Sequence, residues 1–478
     1  MLQPTKSRTP LLDALLPLLA AARPLCRQER TFVRLAVLTL GLLVALGRRT
    51  VSQVLVGLGA GEQPWAAWYR LFSADRIDHA AAERQVLAAV LREVPAGEPL
   101  AVVLDATHLP RTGRRMPGVG WARAPRTPVF KLGIQRAQRW VGLTLLLPRT
   151  PDGMSRALPV RWLPAPTPRA TPLPGHPPLR EWQAGLALLD WLRTELDAAG
   201  RAGQRVLALA DGAYAPAQLW AALPPRTVLL ARCARNRALW ALPMRRPPDQ
   251  PVRGRRRVYG ERGPTPADQL HGRGGWTQVG FMVRGRPVTP RVRVTGPWLV
   301  RGAPAVPLFL LVVAGVARGR GVTRRQRQPT FLLVNAVPAD QGGWALPLPV
   351  ADLLAWAWQR WEVEVMHREL KSTFGLGQAQ AWSPGGTVGT TQWLVWAYAL
   401  LLLAGYRCWG LGPGPGRPPG AWQRPRRWSL GTLWAAYRAE LWQLGEFQPV
   451  WTRSPDTWAE MERWLATQTN ALRGLRHL

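Results

Sequence analysis

Two short runs constrain this chain most: Ala101 to Leu104, which stops on Asp105, and Val206 to Ala210, which stops on Asp211. Consecutive apolar residues at strand length, bounded by polar ones, read as strands buried on both faces. Such strands need helices above and below them. The neighbouring sequence supplies these: PLAVVLDATHL, VFKLGIQRAQR and WVGLTLLLP read as three successive strands, followed by a Pro-rich loop from Pro148 to Pro178. A helix through LREWQAGLALLDWLRTELDAAG, the strand RVLALAD, a helix near AQLWAAL and the strand TVLLARC then alternate. The expected fold class is α/β, a mixed sheet flanked by helices. Each aspartate reads equally as a carboxylate projecting from a strand edge or as the cap of the next turn.

The rest of the chain divides around this core. Residues 1–96 show three-to-four apolar spacing and read as a helical N-terminal region, proposed to bind DNA. Within it, Arg48, Arg49 and Thr50 precede a short amphipathic helix, compatible with groove entry or with a plain bundle. The core occupies residues 97–235 and resumes over 330–410, interrupted by a β-rich insertion, 236–329, that is dense in Gly, Pro and Arg. A linker, GLGPGPGRPPG, and a Trp-rich helical region fill 411–478.

Charge selects the partner. Lys and Arg number 63 against 28 acidic residues, a formal net charge of +35, and a field of that size suits a polyanion, nucleic acid above all. A GC-rich coding bias accounts for Arg replacing Lys, since only Lys6, Lys131 and Lys371 are lysines, but not for the excess of cations over anions. Cys26, Cys233 and Cys408 stand far apart, so neither a zinc site nor a disulfide framework is expected. The apolar runs Leu35–Leu46 and Trp393–Tyr406 fall short of the ~18 residues of a membrane span. With no secretion signal evident, the expected location is the cytoplasm, without membrane contact.

A third acidic candidate lies in WAWQRWEVEVMHRELKSTFGLG. On a helix, Arg360, Glu364 and Lys371 share one face, where a carboxylate between two cations can hold a metal while the cations hold phosphates. The plainer reading is an exposed helix with Arg360–Glu364 and Glu364–Arg368 pairs worth a few tenths of a kcal/mol each. His108 and His367 lie three residues past Asp105 and Glu364. Neither is assigned a role.

Taken in order, these motifs resemble a large group of bacterial insertion-sequence transposases of the DDE type, with a Tyr-Arg-Glu-Lys signature. Arg, three residues, Glu, six residues, Lys is matched by Arg360, Glu364 and Lys371; the signature Tyr is replaced by Ala357, flanked by Trp356 and Trp358. Asp211-Gly212-Ala213-Tyr214 looks like the motif of the second aspartate, and Asp105 with Thr107 like that of the first. The resemblance covers roughly residues 99–405. It implies an RNase H-like fold, with Asp105, Asp211 and Glu364 as catalytic metal ligands.

Phosphodiester chemistry asks for two divalent ions, and a carboxylate cradle suits Mg²⁺ with Mn²⁺ as substitute. Water would attack at the transposon end and the freed 3′-hydroxyl would attack target DNA, within a synaptic homodimer. Arg360 and Lys371 would clamp phosphates. Lys131 is a further phosphate candidate; Arg232, Arg235 and Arg237 line the DNA path or form a solvated basic face, and Trp276 and Trp298 offer base stacking or core packing. A nuclease or resolvase of the same fold without strand transfer, a decayed DNA-binding copy, and a carboxylate-pair sugar hydrolase are the competing expectations.

Overall fold

The computed structural model describes residues 9–61, 64–124, 133–244, 257–318, 325–414 and 427–443. Lys131 and most of 411–478 lie outside the described residues. Five helices open the chain: α1 (Pro10–Ala20), α2 (Glu29–Val44), α3 (Val51–Gly57), α4 (Ala66–Ser73) and α5 (His79–Leu91). The periodic leucines do what their spacing predicts, with Leu11, Leu15, Leu38 and Leu42 fully buried. Thr50 caps α3 and Asp78 caps α5 through their side chains.

A ten-stranded mixed sheet follows, built of β1 (Leu100–Pro110), β2 (Val119–Arg123), β3 (Ile134–Leu146), β4 (Ala157–Pro164), β5 (Val206–Ala210), β6 (Thr227–Arg232), β7 (Trp276–Gln278), β10 (Arg291–Val300), β11 (Ala303–Val313) and β14 (Thr330–Asn335). Its order is β2-β3-β1-β5-β6-β14-β11-β10-β7, with β4 on the outer edge of β3. Only β1-β5-β6 run parallel, joined by α6 (Glu181–Ala198) and α7 (Ala217–Ala221). The result is the mixed α/β sheet flanked by helices that an RNase H-like core requires.

Local readings differ from the sheet in three places. The second and third expected strands form one strand, β3, because its pairing with β1 runs unbroken across Gln138 to Trp140. The Pro-rich loop contains β4, whose Pro159 and Pro164 are accommodated because an edge strand has one side free of ladder bonds. The β-rich segment 236–329 is not set apart as its own sheet: β10 and β11 extend the core sheet through β14. It also carries α8 (Pro266–His271), the hairpin β8 (Phe281–Val283) with β9 (Arg286–Val288), and the start of a ribbon, β12 (Val316–Arg318) with β13 (Arg325–Arg327).

After a short ribbon, β15 (Val337–Pro338) with β16 (Trp344–Ala345), come α9 (Val350–Gln359), α10 (Trp361–Ser372), α11 (Pro384–Trp409) and α12 (Leu430–Gln443). Helix α11 is longer than the apolar run Trp393–Tyr406 suggests, because Gly385 to Gln392 continue it. By length and composition it would cross a membrane, but 89% of its most apolar stretch is buried within the protein, as befits a core helix. Glu362, 2% exposed, ties α10 to its surroundings by accepting from Arg284 at 2.5 Å and from Arg427 at 2.8 Å.

Candidate active site

The parallel ladder between β1 and β5 ends at Leu104 paired with Ala210, so Asp105 and Asp211 are the next residues on adjacent strands. Asp105 is not the end of its strand, since β1 continues to Pro110 against β3. Past Asp211 the chain turns away into a single 3-10 turn, Gly212–Tyr214. The crevice this leaves at the carboxyl ends of parallel strands is where α/β sheets place their ligands. Asp211 also caps: its Oδ1 accepts from Ala213 N at 2.8 Å. The capping and catalytic readings of this residue are compatible, because only one oxygen is used.

A row of facing residues runs outward from Asp105. Gly142 on β3 pairs with Asp105 on one side and Trp162 of β4 on the other. A Cβ on Gly142 would stand 2.7 Å from the Trp162 indole nitrogen, so only glycine lets the indole lie there. The ring of His367 packs edge-on against Trp162, centroids 5.4 Å apart. His367 in turn sets Nδ1 3.4 Å from Asp105 Oδ2.

The helix expected from Leu353 to Phe374 divides at Arg360 into α9 and α10, with Arg360 itself in helical backbone geometry. From that junction the Arg360 guanidinium reaches two carboxylates: Nη2 donates to Glu364 Oε1 at 3.0 Å, and Nη1 lies 3.9 Å from Asp105 Oδ1. The Asp105 and Arg360 side chains are only 17% and 18% exposed, whereas Glu364 is 38% exposed. Glu364 thus forms the helical ion pair that the spacing allows, and it is the second contact of Arg360 that relates this pair to Asp105.

Electrostatics reflect this crowding. Burial pushes Asp105 up to about 7; Arg360 opposes this, while Asp211, Glu364 and Glu181 reinforce it. Burial, then Lys371 and Arg360, push His367 down to about 3, so it faces Asp105 as a neutral imidazole. Glu181, at the start of α6, is raised by burial and by Asp211 and restrained by Arg139, whose Nη1 lies 3.4 Å from Oε1. Tyr214 is fully buried with its hydroxyl unpartnered, and burial followed by Glu181, Asp105 and Asp211 holds that proton on well above the ordinary phenol range.

Of the sequence-predicted residues, Asp105, Asp211, Glu364, Arg360 and Lys371 come together. Lys371 is close enough to lower both His367 and His108. Arg232, exposed at the end of β6, shares with Arg360 and Glu364 a cleft of about 320 Å³ floored by Leu209, Leu230 and Leu332. Arg235 and Arg237 follow on the loop after β6. Trp276 and Trp298 lie on β7 and β10 at the far end of the sheet; Arg291 covers the first and Gly263 abuts the second. Sequence reasoning missed Glu181 and left His367 without a role. The spacing Glu364 to His367, one helical turn, was the available signal for the latter.

Three carboxylates offer hard oxygen donors, which fit a divalent ion such as Mg²⁺ or Mn²⁺. Among the described residues no three acidic, histidine or cysteine side chains stand close enough to grip one ion as they are placed. The donor chemistry fits, and the Arg360 guanidinium fills the space between two of the donors.

The family model of the DDE superfamily endonucleases matches residues 24–294, more than half of the chain. The match includes Asp105 and Asp211 and ends before Glu364. No curated protein matches the chain. With the mixed sheet and the paired aspartates, the match shows that the chain belongs to the DDE superfamily of endonucleases.

Proposed function

We propose that this endonuclease is a DNA transposase of the insertion-sequence type, with Asp105, Asp211 and Glu364 as its catalytic carboxylates. Membership of the family implies a phosphodiester-cleaving enzyme with DNA as substrate. The observation that carries the finer reading is the convergence of α10 on the strand pair: Arg360 links Glu364 to Asp105, beside Asp211. That arrangement supports the reading drawn from the Arg-Glu-Lys spacing.

Asp105, Asp211 and Glu364 would hold divalent metal, Mg²⁺ with Mn²⁺ able to replace it, which when bound would supply water activation and charge neutralisation at the phosphate. The protein's own groups do the rest. The sheet register fixes Asp105 against Asp211, and neutral His367, wedged by Trp162, limits how Asp105 turns. Arg232, Arg360 and Lys371 hold phosphates on either side of the scissile bond, Arg by its fork and Lys as a point charge. Attack of water breaks the bond from phosphorus to the 3′-oxygen, which leaves as a 3′-hydroxyl after taking up a proton. In the second step that hydroxyl gives up its proton, bonds to a target phosphorus and displaces another 3′-oxygen. Two copies of the chain bring two ends together, and the reaction belongs to the cytoplasm, on the nucleoid.

The test is strand transfer itself. Pre-cleaved duplexes carrying the element's ends are incubated with a target plasmid and Mg²⁺. Joined products support a transposase; cleavage of uncut ends with no joining would leave a nuclease of the resolvase kind.

A further inference from the structure

The structure assigns Arg360 a second role, resting on the metal-carboxylate reading above: it is a placeholder cation that keeps divalent metal off Glu364 and Asp105 until DNA draws it away. Its two nitrogens already occupy the space a metal would share, 3.0 Å from Glu364 Oε1 and 3.9 Å from Asp105 Oδ1. A guanidinium and a divalent ion cannot both stand between the same two carboxylates. As the side chains are placed, with Arg360 against Glu364 and near Asp105, no three acidic, histidine or cysteine side chains among the described residues stand close enough to grip an ion.

Burial makes such a cation necessary. Asp105 is largely shielded from water, and Asp211 and Glu364 stand near it. Uncompensated charge there is strongly unfavourable, so whenever these carboxylates are ionised a positive group beside them relieves the cost. Arginine suits the handover because the fork that spans two carboxylates takes a phosphate equally well. The route is also visible. Arg360 sits at the junction of α9 and α10 and lines the cleft it shares with Arg232, so a phosphate arriving beside Arg232 lies on the side to which Arg360 can swing.

Two linked consequences follow: DNA tightens metal binding, and metal tightens DNA binding by the same factor. Metal then loads only where there is a phosphate to cleave.

The test measures Mn²⁺ binding to the full-length chain by electron paramagnetic resonance and calorimetry, with and without mixed-sequence duplex DNA, for the native chain and Arg360→Gln. Without DNA, R360Q should bind Mn²⁺ about tenfold more tightly than the native chain, or better. DNA should tighten binding by the native chain and leave R360Q nearly unchanged. Equal or weaker binding by DNA-free R360Q would overturn the placeholder role. Arg360→Lys, which keeps the charge without the fork, should fall between the two; if R360Q fails to fold, R360K binding no tighter than native would be equally fatal. Were the native chain to bind no Mn²⁺ even with DNA, the metal-carboxylate reading would fall, and this inference with it.

Discussion

The two halves of the site are held in different ways. Asp105 and Asp211 are set by the register of a buried parallel strand pair, where displacing either one displaces the sheet. Glu364 rides on α10, is more exposed, and is held toward Asp105 by Arg360. The strand half is a frame fixed by the sheet register; the helix half is a jaw packed through Val363, Met366 and Leu370, with the Glu364 side chain as its freer part.

That contrast can be broken in several places. Removing a ligand charge should do most: Asp211→Asn should lower DNA cleavage about a thousandfold or more, read by gel, because several kcal/mol of charge stabilisation is lost. Changing length rather than charge separates the halves. Glu364→Asp withdraws the carboxylate by one methylene and should lower the rate by about tenfold, since the more exposed side chain has room to adjust, whereas Asp211→Glu should lower it by about a hundredfold or more, since the strand end leaves none. Equal losses would abolish the distinction between frame and jaw.

Stability should move the other way. Asp105 is raised from an ordinary carboxylate value to about 7, so its protonated form stabilises the metal-free fold fully below pH 4, and that stability is lost as pH rises through 7. Between pH 5 and 8 the metal-free native protein should therefore lose roughly 1–3 kcal/mol of stability relative to Asp105→Asn, a comparison that sets aside the shifts of Glu83, His79 and His367 common to both. The variant should also abolish cleavage. A difference between the two that does not grow with pH would contradict the burial of Asp105. The smallest effect tests the supporting row: Gly142→Ala should cost about 1–3 kcal/mol by forcing the Trp162 indole aside. It should also weaken cleavage through His367, a loss seen in the rate at saturating DNA.

The strand half of the candidate site is legible in the sequence, because a run of apolar residues ending on a carboxylate is a local pattern. Glu364 enters as a candidate through its spacing from Arg360 and Lys371. What it did not carry was long-range register. Nothing local says that Gly142 and Trp162 extend a row from Asp105, or that His367 packs on that row. Glu181 opens a helix, where an acidic residue is ordinary, and only the placement of α6 brings it near Asp211. Similarly, β4 was hidden by its prolines, and its pairing with β3 is what makes it a strand. The division into α9 and α10 at Arg360 leaves no mark in the helical periodicity.

The most direct measurement is cleavage at the element's own flanking ends on a plasmid with Mg²⁺, comparing the native chain with Glu364→Gln while DNA binding is followed in parallel. The account predicts that the native chain cuts and that the variant binds the same DNA without cutting. Equal cutting by both would remove Glu364 from the site, and the jaw with it.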